Sequence, residues 1–319
     1  MEIRKPLISV IVCTYNRAAL LEKTLNSLIV QKPDFGFEIL VIDNNSSDNT
    51  SETVENLKSR AVSPISYFLE KKLGIAVARN RGADLAKGQY IAYIDDDAVA
   101  SPNWLREIIN AFSLVKPKPA CCVGRVKLDW QGERQKWFPK EHETLLGKYD
   151  FGDSKKFLGS QGYLVTMNAA FDRDIFLRLG KFKTYLGRKG NCLLSGEDNN
   201  MYDRIYQAKH PIYYNPDQLI YHFVPDQRQT LRWLTKRIFW DGATQVIIDF
   251  ENKQINSNNC LAKTAYDIKA ALSNMFLALA FSFLLNKEKL IIFFLRSVIR
   301  AGRVYMALVF FGLKKQNQQ

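Results

Sequence analysis

Three consecutive aspartates, Asp95-Asp96-Asp97, close an apolar run at residues 89–94. Adjacent carboxylates repel one another, so such a cluster needs a cationic partner. On extended backbone alternate side chains share a face, which puts Asp95 and Asp97 on one side. Hard oxygen donors at a strand end suit Mg2+ or Mn2+, ions that keep other positions for water and phosphate oxygens. A solvated acidic turn is the simpler alternative. A second acidic pair, Glu197-Asp198, follows Ser195-Gly196 at the start of a helical pattern, where it complements the helix dipole. Asp43 ends another apolar run, and the polar turn Thr14-Tyr15-Asn16-Arg17 follows a third. Arg79 sits on the helical stretch before the triplet. A guanidinium there can pair with phosphates or a base edge, or form an ordinary surface ion pair.

The spacing of apolar residues predicts what must position these groups. Strands are expected over 7–13, 38–42, 65–69 and 89–94, and helices over 19–30, 50–58, 75–86 and 104–114. Alternation of this kind implies an α/β fold, an open and mostly parallel sheet with helices on both faces. Ligands bind outside the carboxyl ends of such strands. The clusters at 14–17, 43–48 and 95–97 all follow strands and should meet at one crevice. Residues 116–230 read as mixed. A strand is expected over 123–130, loop over 137–156, extended chain over 163–171, helices over 172–179 and 197–208, and short strands at 213–214 and 219–223.

Taken together, Val10-Ile11-Val12-Cys13-Thr14-Tyr15-Asn16-Arg17, Val41-Ile42-Asp43-Asn44-Asn45-Ser46-Ser47-Asp48, Ala78-Arg79-Asn80-Arg81-Gly82, Tyr93-Ile94-Asp95-Asp96-Asp97 and Gly196-Glu197-Asp198 resemble the family 2 glycosyltransferases. Within that family the pattern is most similar to bacterial enzymes of surface or exopolysaccharide assembly, including the cyanobacterial hormogonium-polysaccharide type. The resemblance implies a GT-A fold over residues 1–230, with a nucleotide-sugar half at about 1–115 and an acceptor half at about 116–230. It implies an inverting transfer of a sugar from a nucleotide donor, a UDP-sugar above all, to a saccharide or polyprenyl-linked acceptor.

Roles follow from the same resemblance. Thr14, Tyr15 and Asp43 would meet the base, Asp95 the ribose side, and Asp97 the metal. Asp96 would orient the sugar or support the turn. Asp198 would be the general base, because inversion needs a carboxylate within hydrogen-bond reach of the acceptor hydroxyl. Glu197 would orient the acceptor or cap its helix. His222, three residues before Pro225, matches a downstream metal-binding histidine; a hydrogen-bonded structural histidine is the alternative. Gln229-Thr230-Leu231-Arg232-Trp233 matches the QxxRW of processive synthases, with Trp233 stacking on the acceptor. Gly159 to Gly162 and Asn168-Ala169-Ala170 either admit the sugar or pack turn and strand.

The 319 residues carry a net charge of +13. Residues 231–319 hold 13 basic and 5 acidic residues, a net of +8. That excess lies beside the most apolar stretches and favours an anionic membrane surface over nucleic acid, whose recognition motifs are absent. Residues 270–285 are uncharged but shorter than the ~20 residues a span needs. Arg296, Arg300 and Arg303 fall on one helical face among Phe293, Phe294, Phe310 and Phe311. That stripe is expected to lie in a membrane interface, making 231–319 a helical, membrane-associating region. Five cysteines without a CxxC pair fit a reducing compartment, and the charged first six residues do not make a signal peptide. The expected location is cytoplasmic, peripheral on the inner membrane face. Two other functions remain open: a sugar nucleotidyltransferase, although the first turn lacks the glycine-rich phosphate loop, and a non-catalytic carbohydrate-binding subunit.

Overall fold

The computed structural model describes residues 6–190, 192–252, 254–256 and 259–316, with side chains through 309. By packing it divides into two units, which are described separately. One comprises residues up to 132, 140–185 and 197–224; the other comprises 133–139, 186–196 and 225–319.

In the first unit β1 (Ile8–Thr14) and β2 (Phe37–Asp43) are buried along their whole length. Their Val- and Ile-rich runs are what a strand covered on both faces requires. With β3 (Ile65–Leu69) and β4 (Tyr90–Asp95) they form a parallel set in the order β3-β2-β1-β4. Helices α1 (Ala18–Ile29), α2 (Thr50–Lys58) and α3 (Ile75–Leu85) make the crossovers. Gly82 lets α3 sit against β1, since a Cβ there would fall 2.5 Å from Ile11 Cγ2.

Beyond β4 the sheet is mixed. The strands β5 (Ala98–Ala100), β6 (Cys121–Trp130), β7 (Lys156–Phe157), β8 (Asn168–Asp172) and β9 (Ile212–Val224) complete it. β8 runs antiparallel to β4 and β6, β6 runs parallel to β9, and β5 and β7 pair antiparallel with β9. Parallel pairing therefore runs unbroken through the first four strands and recurs beyond them between β6 and β9. The extended stretch 163–171 shrinks to β8. The two short strands near 213 and 219 are one strand, with an irregularity opposite Gly124/Val126. The loop at 137–156 contains a 3-10 turn, Lys140–Leu146. Helices α4 (Trp104–Leu114), α5 (Arg173–Arg178) and α6 (Glu197–Gln207) pack around this half. A buried polar knot ties it together. Trp104 Nε1 donates to Asn168 Oδ1 at 2.8 Å, and Asn168 Nδ2 donates to the carbonyls of Arg125 at 2.9 Å and Gln218 at 2.8 Å. Asn168 thus serves the sheet, and the Tyr202 hydroxyl occupies the space that a side chain at position 162 would need.

The second unit is built on α7 (Leu231–Glu251), α8 (Cys260–Phe283) and α9 (Lys287–Gln316). α7 and α9 cross backbone to backbone. A Cβ on Gly242 would lie 2.1 Å from Ile299 O, and one on Gly302 would lie 1.9 Å from Phe239 O. Gly302→Ala is expected to cost about 1–3 kcal/mol by overpacking. Urea unfolding measures it, and an unchanged midpoint would show that the helices slide apart freely.

The arginine stripe of α9 does not form an outward face. Arg300 Nη1 reaches Asp267 Oδ1 at 2.6 Å. Arg303 reaches Asp267 Oδ2 at 2.9 Å and Asp249 Oδ2 at 3.0 Å. Two of the three arginines therefore turn toward carboxylates on α7 and α8, because a buried charge must be paired. Arg296 stays exposed, 5.2 Å over the Phe293 ring. The side chains of Phe310 and Phe311 lie outside the described residues. No described helix is long and apolar enough to cross a membrane.

Candidate active site

Register alone brings three strand ends together. Thr14 pairs with Asp43 across β1 and β2, and Cys13 pairs with Asp95 across β1 and β4. Thr14, Asp43 and Asp95 therefore stand side by side on the carboxyl rim of the parallel strands. Cys13, just below, is a core residue whose thiol burial pushes well up.

The loops above the rim are tied to each other. Asn16 has a left-handed backbone, φ 54°. Its N–H donates to Ser46 Oγ at 2.9 Å, and its Oδ1 accepts from Ser47 N at 2.7 Å. Asp48 accepts from Ala18 N at 3.0 Å, at the start of α1, and from Thr50 N at 3.2 Å, at the start of α2. Asp48 thus serves the starts of both helices. Asp43 is almost fully buried, accepting from Ser46 N at 2.9 Å and from the Tyr67 hydroxyl at 2.7 Å. Burial and this bond raise the Tyr67 phenol to about 12, so it remains a donor. Asn44 pins the next loop. Its Nδ2 donates to the Glu70 and Lys72 carbonyls at 3.1 and 2.8 Å, and its Oδ1 accepts from Gly74 N at 2.8 Å. Tyr15 projects into solvent, 43% exposed.

Two arginines answer the acidic cluster. Arg17 Nη1 bonds Asp96 Oδ1 at 3.0 Å and Asp97 Oδ2 at 2.9 Å. Burial pushes the Asp96 carboxyl up to about 6, with Arg17 pulling the other way. Arg79 lies in α3, nearly buried. Its Nη1 meets Glu197 Oε1 at 2.9 Å and Asp198 Oδ1 at 3.2 Å, and its Nη2 meets Asp95 Oδ1 at 3.2 Å. Burial disfavours its charge, yet Asp198, Asp95 and Glu197 hold its pKa above the usual guanidinium range. Arg79 is thus the bridge between the triplet and the acidic pair.

Asp198 is on the first turn of α6, after Gly196 at φ +99°. Its Oδ2 accepts from Thr166 N at 3.1 Å, and its Oδ1 accepts from the Thr166 hydroxyl. The carboxylate is held from two sides yet its side chain keeps 25% exposure, which leaves room for an incoming hydroxyl. Glu197 is turned inward to Arg79.

β5 leaves the triplet at once and pairs with β9, placing Ala98 opposite His222. His222 Nε2 consequently lies 3.1 Å from Asp97 Oδ1, with both side chains buried. The Phe223 N–H also donates to the Asp97 carbonyl at 2.8 Å. The carboxylate oxygen suits Mg2+ or Mn2+, and the imidazole nitrogen beside it favours the transition metal Mn2+ over Mg2+. Among the described residues no three His, Cys, Asp or Glu side chains gather as a ready-made cation cage. A cation held here would need further oxygens from a ligand, as a diphosphate provides.

Thr14, Tyr15, Asp43, Arg79, Asp95, Asp96, Asp97, Glu197, Asp198 and His222 all belong to the first unit. Trp233 belongs to the second, where its N–H donates to Thr230 Oγ1 at 3.2 Å and starts α7. Gln229 Oε1, of the same motif, accepts from Gln135 N at 2.9 Å. Sequence reasoning gave no role to Arg17, Tyr67, Asn44 or Thr166. Arg17 carried one signal, a cation in the turn beside an acidic strand end. Thr166 carried none, because only tertiary folding sets it against Asp198.

Residues 9–180 match the family model described as glycosyl transferase family 2. The chain is 28% identical over 264 residues to the glucosyl-dolichyl phosphate glucuronosyltransferase of Haloferax volcanii, covering 81% of each chain. It is 30% identical over 237 residues to the succinoglycan biosynthesis protein ExoM of Rhizobium meliloti, covering 73% of this chain and 72% of that one. In fold it is similar to the mannosyltransferase PcManGT of Pyrobaculum calidifontis, solved with GDP-Man and Mn2+. The TM-score is 0.62 at 18% identity, covering 95% of this chain and 88% of that one.

Proposed function

The chain belongs to glycosyl transferase family 2, and from that premise we propose that it transfers a sugar, with inversion, from a nucleoside diphosphate donor to a lipid-linked or polysaccharide acceptor. It is a glycosyltransferase of GT-A fold. The observation that carries the finer reading is the Arg79 bridge, which sets Asp198 and the rim residue Asp95 around one guanidinium.

The rim accounts for donor binding. Tyr15 offers an exposed ring one residue beyond Thr14, whose strand partner is the buried Asp43, a combination suited to a base such as uracil. Asp95 serves the ribose side, and Asp96 supports the turn. Asp97 and His222 would hold a divalent cation, which when bound supplies countercharge to the departing diphosphate. Arg17, bonded to Asp96 and Asp97, is the side chain that would give way there.

Asp198 takes the proton of the acceptor hydroxyl at its Oδ oxygens as the acceptor attacks the anomeric carbon. Thr166 fixes the carboxylate plane meanwhile. Glu197 positions this base through Arg79. The names of two relatives support the lipid-linked or polysaccharide acceptor class, one a glucosyl-dolichyl phosphate glucuronosyltransferase and the other a succinoglycan biosynthesis protein. A peripheral position on the inner, anionic face of the cell membrane belongs to the same reading.

A donor screen tests it, reading nucleoside diphosphate released with and without Mn2+. Asp97→Asn is expected to weaken Mn2+ binding, followed by paramagnetic resonance, and to abolish metal-dependent turnover. Turnover and Mn2+ binding equal to the parent chain would remove Asp97 from the metal's ligands.

A further inference from the structure

Helix α8 carries an outward apolar face that nothing in the described chain covers. Leu261, Ile268, Leu272, Phe276, Leu279 and Phe283 fall within an arc of about 80° at the helical turn angle and run for about 33 Å along it. Leu272 is 67% exposed, Phe276 72% and Phe283 87%. Leu284 and Leu285 continue the face at the turn into α9, at 71% and 88%. A soluble surface rarely shows a contiguous apolar strip of this size without a partner.

The charges around it identify that partner. The stripe itself bears none. The acid of α8, Asp267, is buried and held by Arg300 and Arg303. Lys269 is exposed at the margin of the stripe, and Lys287 and Lys289 stand exposed beyond its tip, with Glu288 the acid between them. Tyr266 is exposed farther round the helix, past Lys269, 5.5 Å under the Arg300 guanidinium. An apolar helix face with lysines at its margin and beyond its tip matches the layering of a bilayer interface. A second copy fits worse, because an antiparallel pairing of α8 with itself would bring the basic tip toward Lys269 or Lys263 rather than toward an acid.

We propose that the outer face of α8, with the turn at 284–289, lies in the plane of an anionic bilayer, its apolar residues among the acyl chains and its lysines among the headgroups. This deepens the lipid-linked acceptor reading. It moves the membrane-facing surface from the arginines of α9 to α8.

The test uses the full chain and vesicles of phosphatidylcholine alone or mixed with phosphatidylglycerol, with flotation as readout. The chain is expected to float with the mixed vesicles and to do so less with neutral ones. Phe276→Asp combined with Phe283→Asp should abolish flotation while leaving the melting temperature unchanged, since both rings are exposed. Lys269→Glu with Lys287→Glu and Lys289→Glu should lower partitioning into anionic vesicles at least about tenfold at low salt. Phe276→Trp should shift its emission to the blue when anionic vesicles are added. The proposal is overturned if the parent chain stays unbound, if the aspartate variant floats as the parent does, or if the face proves to be a dimer contact that the aspartates dissociate in sedimentation. Donor turnover, measured separately in detergent-free buffer, shows whether the glycosyltransferase reading stands whatever the vesicles show.

Discussion

Replacing Arg79 by leucine should destabilise the α/β unit by about 3–5 kcal/mol, the range for removing one partner of a buried charge pair. The guanidinium faces three carboxylates, so its loss leaves Asp95, Glu197 and Asp198 repelling one another across one small space. The side chains of Asp95 and Asp198 are 27% and 25% exposed and recover some hydration, while that of Glu197 is only 8% exposed and recovers little. The expected loss therefore sits toward the lower end of that range. Urea unfolding followed by circular dichroism measures it. Arg79→Lys keeps the charge but lacks the planar fork that meets three acceptors together. It should retain most of the stability and lose much of the transfer rate, because Asp198 is then no longer oriented. A leucine variant as stable as the parent would mean that the bridge is dispensable to the fold.

Asp198→Asn should reduce sugar transfer by about 10^2- to 10^4-fold, the range for losing a positioned general base. The change is nearly isosteric, and one amide oxygen still accepts from Thr166, so the fold should persist. Donor affinity should stay at the parent value, because the rim residues Asp43 and Asp95 are untouched. Single-turnover transfer and nucleotide titration separate the two quantities. Thr166→Val offers a graded companion. It removes the hydroxyl that bonds Asp198 Oδ1 but keeps the backbone N–H, so its loss of rate should be smaller. Wild-type transfer by the asparagine variant would take Asp198 out of the mechanism.

Both experiments address residues whose importance was legible to different degrees. Asp198 stood out beside the acidic triplet because charged residues at element boundaries break the hydrophobic period. Arg79 was visible as a cation before the triplet, but its partners were not. A guanidinium on α3 reaches Glu197 and Asp198, more than a hundred residues away in sequence, only because α3 and α6 pack near the same rim. The pairing of Asp97 with His222 illustrates the same limit. Asp97 was readable at a strand end, whereas His222 lies beside it because the three-residue strand β5 pairs antiparallel with β9. A strand that short leaves no periodic signal, and its register is set by a partner far along the chain.

The amino-acid order by itself determined the parallel half of the sheet, its crossover helices and the rim on which Thr14, Asp43 and Asp95 stand. Those follow from local pattern, since apolar runs of five to seven residues, too short for helices and bounded by turn residues, read as buried strands with the polar residues that stop them at their ends. Tertiary structure alone decided the antiparallel insertion of β8, the inward turn of Arg300 and Arg303 to Asp267 and Asp249, and the α8 face left bare in consequence. Pairing between distant segments is a matter of which buried charges and backbone groups find partners, and periodicity within a segment carries no information about that choice.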